Sequence, residues 1–430
     1  MKIIWSSLVK FPPLCNADGI ICPNHCGWMF SAAKAIQQFY PEIELIVLVY
    51  SNCKHLTKRD INGIRYYEIP EPSKSYTKTL SKLYSSTVEH CSQILRFEKP
   101  DVIHAHGTEY ALSCSLLLAA EACGLRTRTA VSIQGLASIY ERYIYGGIPS
   151  YLLWLNLSLL DLITFRWPPM NRSSMLNRGK LETRCIKTAQ HIIGRTEWDY
   201  AHTATINKDA TYHTCHEILR DTFYTGKWTL DACEKNTIFV SNCSAALKGA
   251  HQVINALRIV KDYIPEVKLR MVGGSPYSKK WHERLRFNSY QKYLLNLICH
   301  NNLLESVTFL GSLTEQEMKD EFLRCQLYIL PSAIENSPNS LCEATMLGVP
   351  SLVAYRGGST SLVREEQNIQ FYCYEDVEVL AIKIIQMLSR NVRLHYGDTK
   401  TRTEALIRHN PKAVATSLHH IYETISKRSK

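Results

Sequence analysis

The chain has 430 residues, of which 45% are hydrophobic and 21% are charged. This composition excludes a disordered chain, and the length exceeds what one ordinary core supports, so two domains of about 200 residues are expected. The formal net charge of +11 suits anionic partners such as nucleotide diphosphates or a membrane surface. Its basic residues are scattered singly, without a zinc-finger or RNA-binding signature, so we expect no nucleic-acid partner.

Both halves alternate apolar runs typical of buried parallel strands with helical periodicity. Predicted strands of the first half are 2–5, 43–50, 101–104 and 130–133, with helices after Gly27 and at 112–123. Predicted strands of the second half are 237–241, 267–272, 307–310, 326–330 and 351–354, with a helix at 250–263.

This alternation predicts two doubly wound, Rossmann-like α/β domains. We place them at 1–228, on the acceptor side, and 229–410, with a C-terminal helix of about 411–430 that could pack back on the first domain. Ligands are expected at the carboxyl ends of the strands, in a cleft that the two domains face.

The apolar segment Ile148–Phe165 contains Asn156 and Asp161. A buried or interfacial helix is favoured, while contact with a membrane surface and a membrane span stay open. The cysteines do not form a secreted disulfide pattern, and the first apolar run is too short for a signal peptide, which favours a cytoplasmic setting. Cys15, Cys22, His25 and Cys26 match no common zinc spacing and are interpreted as packed or loop side chains.

Two glutamates mark the candidate site, Glu335 before a predicted helix and Glu343 within it. Ser337 is predicted as the N-cap and Pro338 as the first helical residue, with the helix ending at Gly348. The first helical amides, at Asn339, Ser340 and Leu341, would then favour an anion. One carboxylate can accept sugar hydroxyls and the other ribose hydroxyls, an arrangement that suits a nucleotide sugar.

The stretch from Glu335 to Glu343 resembles the E-x7-E motif of retaining family-4 glycosyltransferases of the GT-B fold. Gly357-Gly358 resembles their glycine pair, and Lys248-Gly249 resembles their phosphate-binding Lys-Gly. The resemblance implies that Lys248 neutralises the departing diphosphate. Gly273, at the end of a predicted strand, is assigned to donor binding.

Pro100 to His106 resembles the family strand that ends in a cleft-facing histidine, which gives His106 a contact with the sugar or the acceptor. Gln134 stands where relatives often have a second histidine. Arg195 resembles a feature of bacterial polysaccharide glycosyltransferases and could bind an acceptor phosphate or the donor diphosphate, or else pair internally with Glu197. Gly27 corresponds to the glycine-rich first loop, which lets backbone approach the donor phosphates.

One position departs from the family pattern. Many relatives carry an arginine five or six residues before the lysine, where this chain has Asn242 and Cys243. The chain also lacks the metal-binding Asp-x-Asp pair of the other large glycosyltransferase fold. It has no Walker A sequence and no G-x-G-x-x-G fingerprint, which argues against kinase and dehydrogenase functions. No metal site and no cofactor are expected.

The resemblance implies a metal-independent hexosyltransferase that uses a UDP- or GDP-sugar and a glycan or lipid-linked acceptor, with retention of configuration. It further suggests a peripheral membrane enzyme at the inner face of the membrane, in surface-polysaccharide biosynthesis. Two alternatives stay open: a nucleotide-sugar 2-epimerase of the same fold, and a non-catalytic sugar-nucleotide-binding scaffold.

Overall fold

The computed structural model describes residues 1–22, 27–73, 82–164, 167–277, 287–389 and 400–427. The chain divides into two compact units. The first unit comprises Met1–Glu141, Ser174–Arg220 and Ile407–Lys430, and the second comprises Arg142–Ser173 and Asp221–Leu406. This division differs from a boundary at residue 228 because the segments 142–173 and 221–228 belong to the second unit. The C-terminal helix belongs to the first unit, the domain on which it was expected to pack.

The first unit is built on an eight-stranded sheet in the order β3-β4-β2-β1-β5-β6-β7-β8. Its strands are β1 (Lys2–Ser6), β2 (Glu44–Ser51), β3 (Thr57–Ile61), β4 (Ile64–Pro70), β5 (Val102–His106), β6 (Thr129–Ser132), β7 (His191–Gly194) and β8 (Thr211–Thr214). Every pairing is parallel except that of β3 with β4. The polar edge strand β3 is mostly exposed, whereas the interior strand β2 is apolar and buried, as a sheet covered on both faces requires.

The second unit is built on a six-stranded parallel sheet in the order β11-β10-β9-β12-β13-β14. Its strands are β9 (Glu234–Val240), β10 (Lys268–Met271), β11 (Val307–Phe309), β12 (Cys325–Leu330), β13 (Ser351–Ala354) and β14 (Ile369–Tyr372). The two parallel sheets confirm the prediction of two Rossmann-like α/β domains.

Helices flank both sheets. They are α1 (Pro12–Ala17), α2 (Gly27–Phe39), α3 (Ser85–Glu98), α4 (Ala111–Ala122), α5 (Ala137–Tyr140), α6 (Ser150–Leu155), α7 (Leu159–Ile163), α8 (Pro168–Thr188), α9 (Glu197–Ile206), α10 (Ala250–Tyr263), α11 (Ser289–His300), α12 (Glu315–Arg324), α13 (Asn339–Leu347), α14 (Ser359–Leu362), α15 (Val377–Ser389), α16 (Lys400–Arg408) and α17 (Pro411–Lys427). Short 3₁₀ turns occupy Arg126–Arg128, Glu141–Tyr143, Asp221–Tyr224 and Ala246–Lys248.

The C-terminal helix α17 packs into the core of the first unit through Tyr422. The fully buried Tyr422 hydroxyl accepts the Trp5 indole N–H at 3.0 Å and lies 2.7 Å from His104 Nδ1. Because the indole can only donate, the tyrosine keeps its own proton for His104 Nδ1. This network holds helix α17 against strands β1 and β5, and β5 also carries His106.

Trp228 belongs to the core of the second unit. Its side chain is buried, its backbone N–H donates to Leu347 O at 2.8 Å, and its indole N–H donates to Cys325 O at 2.7 Å. Trp228 thereby ties the start of this unit to strand β12 and helix α13, which both lead into the candidate site.

The segment Ile148–Phe165 is not one continuous helix. Its described part forms α6 and α7, which are separated at Asn156–Leu157, and α7 begins with a capping box in which Ser158 and Asp161 bond each other's backbone N–H groups. Ile148 and Leu153 join the second unit's core, whereas most of the other large apolar side chains are exposed. The prediction of a single helix, buried or interfacial, is therefore wrong in its continuity, and burial holds only for a minority of the segment's apolar side chains. Phe165 lies outside the described residues.

Candidate functional site

In the second unit, Lys248 and Glu335 meet at the carboxyl edge of the sheet. Strands β9 and β12 are neighbours, Lys248 lies on the turn after β9, and Glu335 lies on the loop after β12. Lys248 Nζ donates to Glu335 Oε1 at 2.5 Å. The lysine side chain is 29% exposed and the glutamate side chain 12% exposed, so both are largely shielded from bulk water, and the lysine remains accessible to a ligand. Parallel strands thus bring together two residues predicted from separate motifs.

Two glycines allow the loops around this pair to pack against each other. Gly249 has φ +72°, and a Cβ at this position would lie 1.7 Å from Pro331 O. Gly357 has φ +58°, and a Cβ there would overlap Glu335 O. Gly358 N–H donates to Glu335 O at 2.9 Å, which anchors the glutamate's backbone. The Lys-Gly and Gly-Gly elements are therefore parts of one close-packed frame.

Helix α13 starts one residue later than predicted. Asn339 is the first helical residue and Pro338 the N-cap, without a side-chain cap hydrogen bond, so the assignment of Ser337 as the N-cap is wrong. Proline can occupy the extended N-cap position because that residue's own N–H is not needed by the helix. Leu341 N–H donates to Pro338 O at 3.0 Å, so this amide, predicted to face an anion, is used inside the first turn.

The end of α13 is as predicted, with Gly348 as its C-cap at φ +80°. Glu343 lies inside the helix and is buried, with 3% exposure. Glu335 is likewise nearly buried, at 9%. Burying a carboxylate is costly unless it is paired, and Lys248 provides that pairing for Glu335.

Two site residues were missed from the sequence, Tyr328 and Ser241. The buried Tyr328 hydroxyl lies 3.0 Å from Ser241 Oγ and 3.0 Å from Ser340 Oγ, and burial raises the pKa of this phenol. The three hydroxyls link the ends of β9 and β12 to the first turn of α13, where Ser340 was assigned to donor binding. Tyr328 and Ser340 are twelve residues apart, and the sequence carries no signal for such a contact.

Gly273 follows β10 and lies against the residue that replaces the family's arginine. A Cβ at Gly273 would be 2.6 Å from Cys243 Sγ, and Gly273 has φ +144°. Cys243 is buried, and burial raises the pKa of its thiol to about 12. The exposed Asn242 accepts hydrogen bonds from Ser244 N–H at 2.9 Å and Ser244 Oγ at 2.7 Å. Neither replacement supplies a positive charge.

In the first unit, the predicted residues also gather at the carboxyl edge of the sheet. His106 is the last residue of β5 and is paired in register with Ser132, the last residue of β6, while Arg195 follows β7 directly. Trp28, beside Gly27 at the start of α2, has its ring centroid 5.5 Å from that of His106 and 5.6 Å from the Arg195 guanidinium. His106, Arg195 and Trp28 line one recess within this unit.

His106 is buried, and neither of its ring nitrogens has a hydrogen-bond partner in the structure. Burial lowers the pKa of His106 well below its ordinary value, and the neighbouring His104 and the charge of Arg195 act in the same direction. The ring is therefore neutral near pH 7, with one nitrogen to donate and one to accept. Such a ring suits a ligand hydroxyl, which can do both.

Arg195 pairs with Glu217 rather than with the predicted Glu197. Its guanidinium forms a salt bridge with the buried Glu217 and donates to Ile133 O at 2.5 Å, while Glu197 is exposed. Among the described residues, the Nε atom of Arg195 has no hydrogen-bond partner. The pairing residue was missed because Glu217 comes from the loop after β8, which only the sheet order brings next to β7.

Gln134 and Gly27 occupy positions compatible with their predicted roles, which stay predictions. Gln134 is half-buried on the loop after β6. Gly27 begins α2, and a Cβ there would meet no described atom within 4 Å. Packing among the described residues thus does not require glycine at this position.

The described residues contain no group of three or more His, Cys, Asp or Glu side chains that could hold a metal ion. Cys15 is buried, but His25 and Cys26 lie outside the described residues. No helix in the described part of the chain is long and apolar enough to cross a membrane.

Residues 223–403 match the family described as "Glycosyl transferases group 1". A search of curated protein sequences found no match. Among solved structures, sucrose-phosphate synthase from Thermosynechococcus elongatus is similar with a TM-score of 0.67 at 13% identity, over 100% of both chains. HepE from Anabaena, solved with UDP and glucose, has a TM-score of 0.59 at 15% identity, over 99% of this chain and 100% of HepE.

The lipopolysaccharide outer core galactosyltransferase WaaB is also similar, with a TM-score of 0.61 at 14% identity, over 99% of this chain and 100% of WaaB. At such identities the likeness shows the fold alone, and that fold is GT-B. Both glutamates, the Lys-Gly turn and Gly273 lie within residues 223–403, the part of the chain that matches the glycosyl transferases group 1 family.

Proposed function

We propose that this protein transfers a hexose from a UDP- or GDP-sugar to a glycan or lipid-linked acceptor, with retention of anomeric configuration and without a metal ion. The observation that carries the proposal is the Lys248–Glu335 pair, held at 2.5 Å on the carboxyl edge of a sheet beside the N-terminus of α13. A nucleotide sugar presents a diphosphate and hydroxyls together, and this edge offers a partner for each.

Lys248 and the positive end of the α13 dipole would stabilise the diphosphate as it departs. Glu335 would accept hydroxyls of the hexose, and Glu343 would accept hydroxyls of the ribose. Both carboxylates are nearly buried, so their hydrogen bonds to a ligand would be stronger than in water.

The reaction would exchange one bond at the anomeric carbon for another. The bond to the phosphate oxygen breaks, the bond to the acceptor oxygen forms on the same face, and the acceptor proton moves to the departing phosphate. No side chain at this edge is assigned as a nucleophile, so we favour a short-lived ion pair. His106, which is neutral near pH 7, would hold a hydroxyl of the sugar or the acceptor rather than carry the proton.

A thermal-shift screen with UDP- and GDP-hexoses, in the presence and absence of EDTA, tests donor binding first. We expect stabilisation by one nucleotide class, unchanged by EDTA. Incubation with that donor and candidate acceptors, followed by NMR of the product, should then show the donor's anomeric configuration retained. An inverted product contradicts the proposed stereochemistry, and a requirement for a divalent ion contradicts metal independence.

The same experiment separates the alternatives. A 2-epimerase converts the nucleotide sugar without any acceptor, so acceptor-free conversion to an epimer would replace our proposal. Donor binding without turnover on any acceptor would favour a binding scaffold.

A further inference from the structure

Helices α6 and α7 each present exposed apolar side chains, which together we call the apolar patch. Its members occupy positions i, i+3 and i+4 on each helix, so each helix turns one apolar face to solvent. They are Tyr151, Trp154, Leu155, Leu159, Leu162 and Ile163. Leu155 is 78% exposed and Ile163 is 76% exposed. A surface helix of a globular protein ordinarily buries such a face, and soluble surfaces rarely expose a large contiguous one.

The second unit holds this arrangement in place through polar contacts on the other side. Asp161, whose oxygens cap α7, also accepts the Ser289 N–H at the start of α11 at 2.7 Å. Asn296 Nδ2 donates to Asn156 Oδ1 at 2.7 Å, and Lys292 Nζ donates to Leu157 O at 3.3 Å. The polar groups of the segment are thus turned toward α11, and its apolar groups outward.

The turn that precedes α6 is equally fixed. Gly146 O accepts hydrogen bonds from His251 Nε2 at 2.9 Å and from the Tyr374 hydroxyl at 2.7 Å. Gly146 has φ +56°, and a Cβ there would overlap Ala246 O. The backbone before α6 is therefore held by specific contacts within the second unit, which fixes the direction in which the apolar face points.

The chemistry of the patch fits a lipid surface better than a protein partner. Three of its six members are leucines, which are under-represented among the residues that dominate protein–protein binding. Its aromatic members, Tyr151 and Trp154, are the types enriched at the level of lipid headgroups. Leucine and tryptophan on one face are typical of helices that lie in the membrane interface.

The charge around the patch favours anionic lipids. Among the described residues of 142–173, Arg142 and Arg172 are exposed, whereas the acidic Asp161 is buried and accepts the Ser289 N–H. The exposed charge of this described segment is therefore positive, within a chain of net charge +11. Basic residues next to an inserted apolar face attract acidic headgroups.

We infer that α6 and α7 form a membrane-surface anchor, with the apolar patch inserted at the headgroup–acyl boundary of an anionic bilayer. This anchor is independent of the proposed transferase chemistry, because no patch member belongs to the candidate site. It would hold the second unit at a surface where a lipid-linked acceptor could be reached.

Flotation with vesicles of phosphatidylcholine alone, and of phosphatidylcholine with 30% phosphatidylglycerol, tests the anchor on the full chain. We expect binding to the anionic vesicles that weakens at least tenfold in Leu155→Ser/Leu159→Ser/Ile163→Ser. The matched control is Phe97→Ser/Tyr263→Ser/Ile407→Ser, which removes three comparably exposed apolar groups elsewhere and should bind as the wild type does. Arg142→Gln/Arg172→Gln should weaken binding by roughly fivefold for each arginine, and only to the anionic vesicles.

Wild-type protein that binds neither vesicle, or a patch variant that binds as well as the wild type, overturns the inference. Sedimentation velocity tests the competing occupant: a dimer lost in the patch variant, with no vesicle binding by the wild type, would assign the patch to a second copy. If the triple variant does not fold, Leu155→Ser alone carries the test, with Ile407→Ser as its control. Hexose transfer to a water-soluble acceptor is expected to survive in the patch variants, so failure of the anchor and failure of the proposed function can be told apart.

Discussion

Replacing Gly249 by alanine should damage both stability and the Lys248–Glu335 pair. At φ +72° an alanine costs about 1–2 kcal/mol, because its Cβ crowds the following carbonyl. The added Cβ would also lie 1.7 Å from Pro331 O, so the two loops must separate by roughly 1.5–2 Å to reach ordinary contact distance. Overpacking of this kind costs about 1–3 kcal/mol. The total loss expected is therefore about 2–5 kcal/mol.

Gly311→Ala is the matched control in the same unit. Gly311 has φ +71°, and a Cβ there meets no described atom within 4 Å, so it incurs the left-handed strain without the overlap. We expect it to lose about 1–2 kcal/mol, which for domains of this size lowers Tm by roughly 2–8 °C. The difference in the free energy of unfolding between the two variants therefore measures the cost of the overlap between the turn after β9 and Pro331 O at the end of β12.

Urea denaturation of both variants gives the stability difference, and donor binding by calorimetry gives the functional one. Gly249→Ala should lose at least about 1 kcal/mol more than Gly311→Ala and should bind donor more weakly, because Lys248 immediately precedes the displaced residue. Equal stability and equal donor binding in the two variants would refute the argument that the close approach of Gly249 to Pro331 positions the lysine.

Three further predictions concern single side chains. Lys248→Ala and Glu335→Ala should each lower turnover by about 10²–10³-fold, and near-normal steady-state rates in both would exclude their assigned roles. Glu343→Ala should weaken donor binding by about 10–100-fold in calorimetry with a smaller effect on turnover, since a ribose contact is remote from the reacting carbon. Burial lowers the pKa of His251 to about 4, so the unfolded chain takes up a proton below about pH 6.5 that the folded chain resists. The contribution of His251 to the free energy of unfolding should therefore fall by about 1.4 kcal/mol between pH 7.5 and 5.5, so in urea denaturation the pH dependence of stability should be smaller in His251→Asn by about that amount.

The strands of the second unit were predictable because each is a short apolar run between helical repeats. Runs such as 326–330 and 351–354 are found as β12 and β13 with little change. The hairpin of β3 and β4 was not predicted, although Asn62-Gly63 between them is a strong turn signal with both residues at positive φ. Strand β3 is polar because it lies at an edge of the sheet, so a pattern of apolar runs does not predict it.

A local signal for the start of a helix was also missed because it lies within a longer apolar segment. Ser158 and Asp161 form a capping box, yet they lie in an apolar stretch that was interpreted as one helix. The pairing of Arg195 with Glu217 could not be obtained from spacing at all, because it depends on β7 and β8 being neighbours in the sheet. The sequence motifs thus named Lys248 and Glu335 separately, and the sheet order brings these two residues together. Contacts such as that of Tyr328 with Ser340 follow from the fold alone.

The charge balance of the second unit's edge links sugar binding to phosphate binding. Cys243 is packed against Gly273 and Asn242 caps its own turn, so the position of the missing arginine supplies no charge. Lys248 is the cation paired with Glu335 at this edge, so its charge is already neutralised in the structure. A diphosphate can recruit Lys248 only if Glu335 gains other partners, because an unpaired, nearly buried carboxylate is costly. The hydroxyls of a hexose are such partners, whereas a nucleotide alone offers none at that point. Sugar and diphosphate should therefore bind this edge cooperatively, with the Lys248–Glu335 contact exchanged for both at once.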